Sequence, residues 1–348
     1  MPENSNSVEL CPDCNNLSRR AFLRKVGAAA TGLTAVTGVT AAAIAAETKS
    51  STGGKPAETY VKLLHDSLNE KQRKIMAFPF DHDLRRKVAN NWHIVDEEAG
   101  AIGKLYTPDQ QEMIRQILRG VTSEDGYDRF QKQMEDDDGG FENYTCALFG
   151  QPGSDKFEFV MTGRHLTIRA DGNSVENAAF GGPIFYGHAV KTREDSDHKG
   201  NVWWHQAEAA NAVFKALDGK QQAQALIEHS PADDALTVRF RGDAALPGIR
   251  CGQLSGDQKE LLENTLKSLL AMFRESDVAE VMECLKKNGG VDHLHMSFYK
   301  EGDTGDDGVW DRWSVQGPAF IWYFRGSPHV HTWVNVGHQA PRVRTAKL

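Results

Sequence analysis

Disulfide bonds are the first thing this chain has little material for. Five cysteines are spread over 348 residues, and two of them, Cys11 and Cys14, precede an apolar run near the N-terminus. Cys146, Cys251 and Cys284 allow at most one internal bridge, so stability must come from a packed core rather than a cross-linked scaffold. The Cys11/Cys14 pair has no second Cys/His pair nearby and is not read as a zinc element. Basic clusters are also missing. Removing the four basic and three acidic residues of positions 1–45 from totals of 40 and 48 leaves a net charge of −9. A chain of that sign lacks the phosphate contacts that supply most nucleic-acid affinity, so nucleic acid is excluded as a partner. No GxSxG, P-loop, HExxH or dinucleotide fingerprint occurs, and beyond residue 46 no apolar run is long enough to span a bilayer.

What is present begins with an address. Ser18-Arg19-Arg20-Ala21-Phe22-Leu23-Arg24-Lys25 is a twin-arginine signature, followed by an uncharged Ala/Gly/Thr-rich run from Val26 to Ala46. Its weak hydrophobicity argues against a resident membrane helix, and Ala43-Ile44-Ala45 offers a small-x-small cleavage site. The expected organisation is a signal peptide over 1–45, a tether over 46–56 and one α+β domain over 57–340. That domain divides into a helical part, 57–140, and a mixed sheet and helix part, 141–340. The expected location is the periplasm or cell envelope, with the twin-arginine translocase as a partner during export and no membrane contact after cleavage.

Within the domain, Tyr60, Leu63, Leu64 and Leu68 recur at helical spacing. Thr107-Pro108-Asp109-Gln110 and Ser255-Gly256-Asp257-Gln258 read as capped helix starts. The acidic run Glu135–Asp138 before Gly139-Gly140 reads as a solvated loop. Short aromatic and β-branched segments at Tyr144–Phe149, Phe157–Met161, His165–Arg169 and Ala179–Tyr186 read as antiparallel strands. Further strands are expected at Ala235–Phe240, Val291–Tyr299, Trp310–Phe324 and His329–Val336, with helices at Ala207–Leu217, Lys220–His229 and Val278–Leu285. Strand–helix alternation is absent, so the fold class is α+β: an antiparallel sheet with helices on one face.

Chemistry concentrates in histidine. His329 and His331 stand at i and i+2, which on a strand places both imidazoles on one side. His165 follows Gly163-Arg164, His188 closes Gly181-Gly182-Pro183-Ile184-Phe185-Tyr186-Gly187, and His293 and His295 repeat the i, i+2 spacing. Three histidines with an open position suit zinc or copper. The expected ligands are His165, His329 and His331. His188 is assigned as a fourth ligand or proton-transfer group. Arg325 is assigned either to an anionic substrate group or to a structural ion pair. Glu208 and Asp243 have weaker claims as a base or a ligand.

From about Ser67 to Val336 the chain resembles the bacterial domain-of-unknown-function 3500 family. The matching stretches are Phe149-Gly150-Gln151-Pro152, Gly163-Arg164-His165-Leu166, Gly181 to His188, Gly317-Pro318 and Phe324 to His331. Much of that family has Gly-His-His-Leu where this chain has Arg164 before His165. The resemblance implies a common fold and an exported protein and leaves the activity unassigned. The functional expectation is an exported metal-binding protein, of hydrolase or lyase type if catalytic, acting on a small polar or carbohydrate-like substrate. The alternatives are a copper redox protein and a non-catalytic envelope binding protein whose histidines are structural.

Overall fold

In a computed structural model, residues 56–242 and 245–338 are described. The twin-arginine stretch, the cleavage site, Cys11 and Cys14, the tether up to Lys55, and Asp243 lie outside them. From Pro56 onward the described residues pack as one unit.

Helices open the fold. Pro56–Ser67 is followed by Glu70–Met76, whose Asn69 cap and Gln72 form a reciprocal capping box. The same device starts Pro108–Val121 at Thr107/Gln110 and Gly256–Leu270 at Ser255/Gln258. In each, the cap side chain accepts an amide that the first helical turn would leave unbonded, a contribution of about 1 kcal/mol.

Among the described residues, eleven strands form one mixed sheet, in chain order β1 (Ala77–Phe78), β2 (Thr145–Gly150), β3 (Phe157–Gly163), β4 (Leu166–Ala170), β5 (Ile184–His188), β6 (Leu226–Ile227), β7 (Ile249–Arg250), β8 (His295–Tyr299), β9 (Arg312–Gly317), β10 (Phe320–Arg325) and β11 (Val330–Val336). Spatially they run β1-β2-β3-β4-β5-β11-β10-β9-β8-β6, with β7 paired to β8. Pairing is antiparallel except where the two-residue strands β1 and β6 join β2 and β8 in parallel. The class is α+β, with helices on one face of the sheet.

Alternation along the strands separates two kinds of burial. Met161, Tyr186, Val315, Trp322, Phe324 and Val334 point into the large core shared with the helices. The opposite face is covered by irregular chain: Trp92, Ile94 and Val95 lie over Ala147, Phe149 and Val160, while Val88 and Val238 lie over Phe185, Tyr323 and Trp333. Among the described residues, no helix is long and apolar enough to cross a membrane.

Several sequence expectations shift. The acidic run is no solvated loop. It is the last turn of helix Glu124–Asp138, which Gly139 ends in a left-handed conformation, and Asp137 is turned inward. Trp310–Phe324 is the hairpin β9–β10, broken at Gly317-Pro318-Ala319. Residues 235–240 form turns rather than a strand, because their backbone spans the sheet face instead of joining an edge. The helix expected over Lys220–His229 stops at Ala225. His293 sits in a 3₁₀ turn, which removes the expected same-face relation with His295 on β8. Cys146, Cys251 and Cys284 are buried free thiols.

Candidate metal centre

Two structural devices bring the histidines together. The first is the β3–β4 hairpin, where Gly163 pairs with Leu166 and leaves Arg164-His165 as the turn. His165 adopts φ +55° there, a left-handed conformation that a non-glycine residue holds only when its surroundings impose it. They do so here. The His165 amide donates to the Asn90 carbonyl at 2.8 Å, and its own carbonyl accepts from the Gln133 amide group at 2.8 Å and the Gly187 amide at 3.1 Å. At Gly163 a side chain would strike the Tyr144 ring, so glycine is what lets the turn close down.

The second device is the start of β11, held between β5 and β10. His331 lies opposite Gly187 on β5 and Arg325 on β10. A Cβ at Gly187 would come within 2.3 Å of the Val330 carbonyl and 3.3 Å of the His331 ring. The glycine therefore makes room for both the strand and the imidazole.

The three rings converge on their Nε2 atoms. His329 Nε2 and His165 Nε2 each stand 3.1 Å from His331 Nε2, and all three side chains are completely buried. The outer nitrogens face acceptors. His165 Nδ1 is 2.9 Å from Asp137 Oδ2, His331 Nδ1 is 2.8 Å from Asp233 Oδ2, and His329 Nδ1 is 3.0 Å from the Thr192 carbonyl. A carbonyl or an ionised carboxylate can only accept, so Nδ1 of His329 and His331 carries the proton, as does that of His165 once Asp137 is ionised, and each Nε2 then turns a lone pair inward. Two of the Nε2 separations are 3.1 Å and all three inner nitrogens lie within 4.8 Å of one another; lone pairs gathered this closely repel unless a cation lies between them. Tetrahedral zinc with Zn–N near 2.0–2.1 Å would place such nitrogens roughly 3.3 Å apart, close to what is seen. The donor set fits a divalent transition metal, and the carboxylates behind two of the rings are the support that metal-bound imidazoles ordinarily have.

Electrostatics keep all three rings neutral at neutral pH. Burial, then the Arg164 and Arg325 charges, depress His165 far below its usual range. Burial and the neighbouring imidazoles do the same to His329. Burial and Arg325 lower His331 to about 4. Burial opposes ionisation of Asp233, but His331 and Arg325 overrule it and hold the carboxyl far below normal. Asp137, dominated by burial, is raised to about 7.

Residues 54–339 match the sequence model of the family described as "Protein of unknown function (DUF3500)". The chain belongs to that family. No curated protein and no solved structure matches it. Arg164 lies outside the ligand set, with Nε 3.9 Å from Asp137 Oδ1.

The remaining candidates sit around the cluster or away from it. His188 accepts the Val202 amide on Nδ1 at 3.1 Å and contacts Asp136 through Nε2 at 3.0 Å, so neither nitrogen faces the cluster. Arg325 donates to Asp233 at 2.6 Å and to the His329 carbonyl at 3.3 Å, which makes it the partner of a ligand's partner. His293 packs on Gly289, His295 lies on β8, and Glu208 is exposed. Sequence reading missed Asp137, Asp233 and Thr192. Asp137 had a signal: Phe130, Gln133, Met134 and Asp137 form one buried helical stripe, at the spacing that marks an inward face. Asp233 and Thr192 lie in irregular loops with no periodicity to betray them.

Proposed function

We propose that this is an exported metalloprotein in which His165, His329 and His331 hold one divalent transition ion, zinc or copper, and that it works as a hydrolase or lyase on a small polar substrate. The observation that carries the metal reading is the meeting of three buried Nε2 lone pairs whose rings are each locked by an acceptor on the far nitrogen. Neutral, hydrogen-bonded structural histidines would instead pair donors with acceptors inside the cluster.

The enzymatic reading rests on ligand number. Among the described residues, the metal-capable group contains these three histidines and no fourth His, Cys, Asp or Glu. Structural zinc sites are usually closed by four protein ligands, whereas three ligands leave a position for exchangeable chemistry. When bound, the ion supplies a Lewis acid that can polarise a substrate oxygen or acidify a water. The chain supplies the rest. Asp137 and Asp233 orient His165 and His331, Arg325 fixes Asp233, and His188 holds the segment after β5 through Val202 and Asp136. Export is supported by the Ser18–Lys25 signature and its apolar run.

The deciding experiment is elemental analysis of protein folded in its native host beside the His331→Ala variant. About one zinc or copper per wild-type chain, lost in the variant, is the expected result. Metal-free wild-type protein that keeps full stability in the variant would leave a non-catalytic binding protein. A paramagnetic signal would select copper and redox chemistry over zinc.

A further inference from the structure

The covered face of the sheet carries more hydrogen-bond donors than its surroundings satisfy. Register places Arg312 on β9, Arg325 on β10 and His331 on β11 side by side in one row. Neighbouring strands are about 4.8 Å apart, so the row extends roughly 10 Å from the metal ligand to Arg312. Tyr323 lies one pleat along the same face, opposite Ser314. It is within electrostatic reach of both guanidiniums and of Asp233.

Three buried polar atoms in this group have no hydrogen-bond partner: Nε of Arg312, Nε of Arg325 and the hydroxyl of Tyr323. Tyr323 is fully buried and Arg325 is 5 % exposed. Ser230, on the loop covering this face, interacts weakly with the Tyr323 hydroxyl, its own hydroxyl donating to Glu301 and accepting from Arg312. Buried polar groups are nearly always bonded, and an exception calls for a missing partner. Here all three can donate, and two are cationic.

Charge points the same way. Like charges directly opposite on neighbouring strands destabilise a sheet, yet Arg312 and Arg325 are such a pair. Asp233 answers Arg325 and His331 and is not bonded to Arg312. Arg312 itself bonds to the Ser230 hydroxyl at 2.9 Å and the Ser327 carbonyl at 3.2 Å, neither of them charged, and an acid acting on it, Glu301, reaches it only through space and is half-exposed. Gly302 packs its backbone against the Arg312 guanidinium, where any side chain would collide, so the group is held in place.

We propose that Arg312, Tyr323 and the free edge of Arg325 form an anion subsite beside the metal centre, and that the ligand is a small oxygen-rich carboxylate, such as an acidic sugar or hydroxy acid. The carboxylate accepts from the arginine Nε–H groups, and a hydroxyl or carboxylate oxygen meets Tyr323. Such charge-assisted bonds are stronger than neutral ones and select anions over uncharged analogues. This assignment rests on the metalloenzyme reading for its meaning but not for its test.

The test is calorimetric titration of the zinc-supplemented full chain with glucuronate and tartrate as carboxylate probes and glucose as the uncharged control, with metal content measured in parallel. At least one carboxylate should bind ten or more times tighter than glucose, and Arg312→Met and Tyr323→Phe should each weaken it by about tenfold. Tyr323→Phe should melt within about a degree or two of wild type, because it removes a hydroxyl with no well-formed hydrogen bond; a purely structural tyrosine would not separate binding from stability in this way. The subsite is overturned if neither carboxylate binds, if glucose binds equally, or if affinity survives in both variants. Arg312-dependent binding in a chain that holds no metal would instead sink the metal reading and leave the subsite standing.

Discussion

This chain buries histidine in two chemically opposite ways. In the first, His165, His329 and His331 turn their inner nitrogens toward one another and their outer nitrogens toward acceptors. In the second, His198 has an acid at each end: Glu194 lies 2.7 Å from Nδ1 and Asp311 3.6 Å from Nε2, and the ring stacks on Trp204 at 3.9 Å. Burial disfavours charge in both places. At His198 the flanking carboxylates outweigh it and raise the pKa to about 9, so the ring is an imidazolium at neutral pH. In the cluster nothing outweighs it, so those rings are neutral, the form in which an imidazole can ligate an ion. What faces the ring, rather than burial itself, decides between an ion pair and a ligand. The loop after β5 serves both: Thr192 holds His329, and Glu194 holds His198 while its amide bonds to the Pro328 carbonyl at 2.9 Å.

The sharpest break of this comparison is His331→Ala against His198→Ala. Metal affinity should fall by about a thousandfold or more in the first, beyond the ~10–100-fold that losing a supporting group costs. Metal content should be unchanged in the second. Equilibrium dialysis with zinc reads both; equal retention would erase the distinction between the two groups. Next in size is Asp311→Asn, which leaves a buried imidazolium with one partner. Removing one side of a buried pair costs about 3–5 kcal/mol, here as a lower midpoint in denaturant titration with the metal count intact.

Asp233→Asn should have a smaller effect on metal. The amide can no longer enforce Nδ1–H on His331, so zinc affinity should drop by about 10–100-fold, measured by competition with a chelator. An unchanged constant would show that Asp233 serves only Arg325 and Trp333, to which it is also bonded.

The smallest effect is in pH, and its two flanks belong to different groups. His331 has a folded pKa near 4 against an ordinary 6.5. The unfolded chain therefore binds the proton first, and metal-free protein should lose stability as pH falls from 6.5 to 4. His198 is raised from 6.5 to about 9. Its contribution is complete below 6.5 and disappears as pH rises through 9. Melting temperature against pH should show both flanks, and His198→Gln should flatten the alkaline one alone.

Much of the scaffold could be read without coordinates where the governing interactions were local. Thr107/Gln110 and Ser255/Gln258 signalled helix starts because a capping box is complete within four residues. The His329/His331 spacing marked a shared site for the same reason. Misreadings came where local chemistry was ambiguous. Four acids before two glycines resemble a solvated loop unless the stripe ending at Asp137 is followed back to Phe130. Residues 235–240 have strand-like composition, but they form turns across the sheet face and pair with no edge.

By itself, the order of residues determined a helix-rich start, a predominantly antiparallel sheet and a set of histidines at ligand-like spacing, since each depends on periodicity or on neighbours a few positions apart. Tertiary structure alone decided which histidines meet. His165 and His331 are 166 residues apart in sequence and share a site because β4, β5 and β11 lie side by side. It also decided the supporting acids, because Asp137 and Asp233 act through positions reached only after a helix end and a loop have been packed onto that sheet.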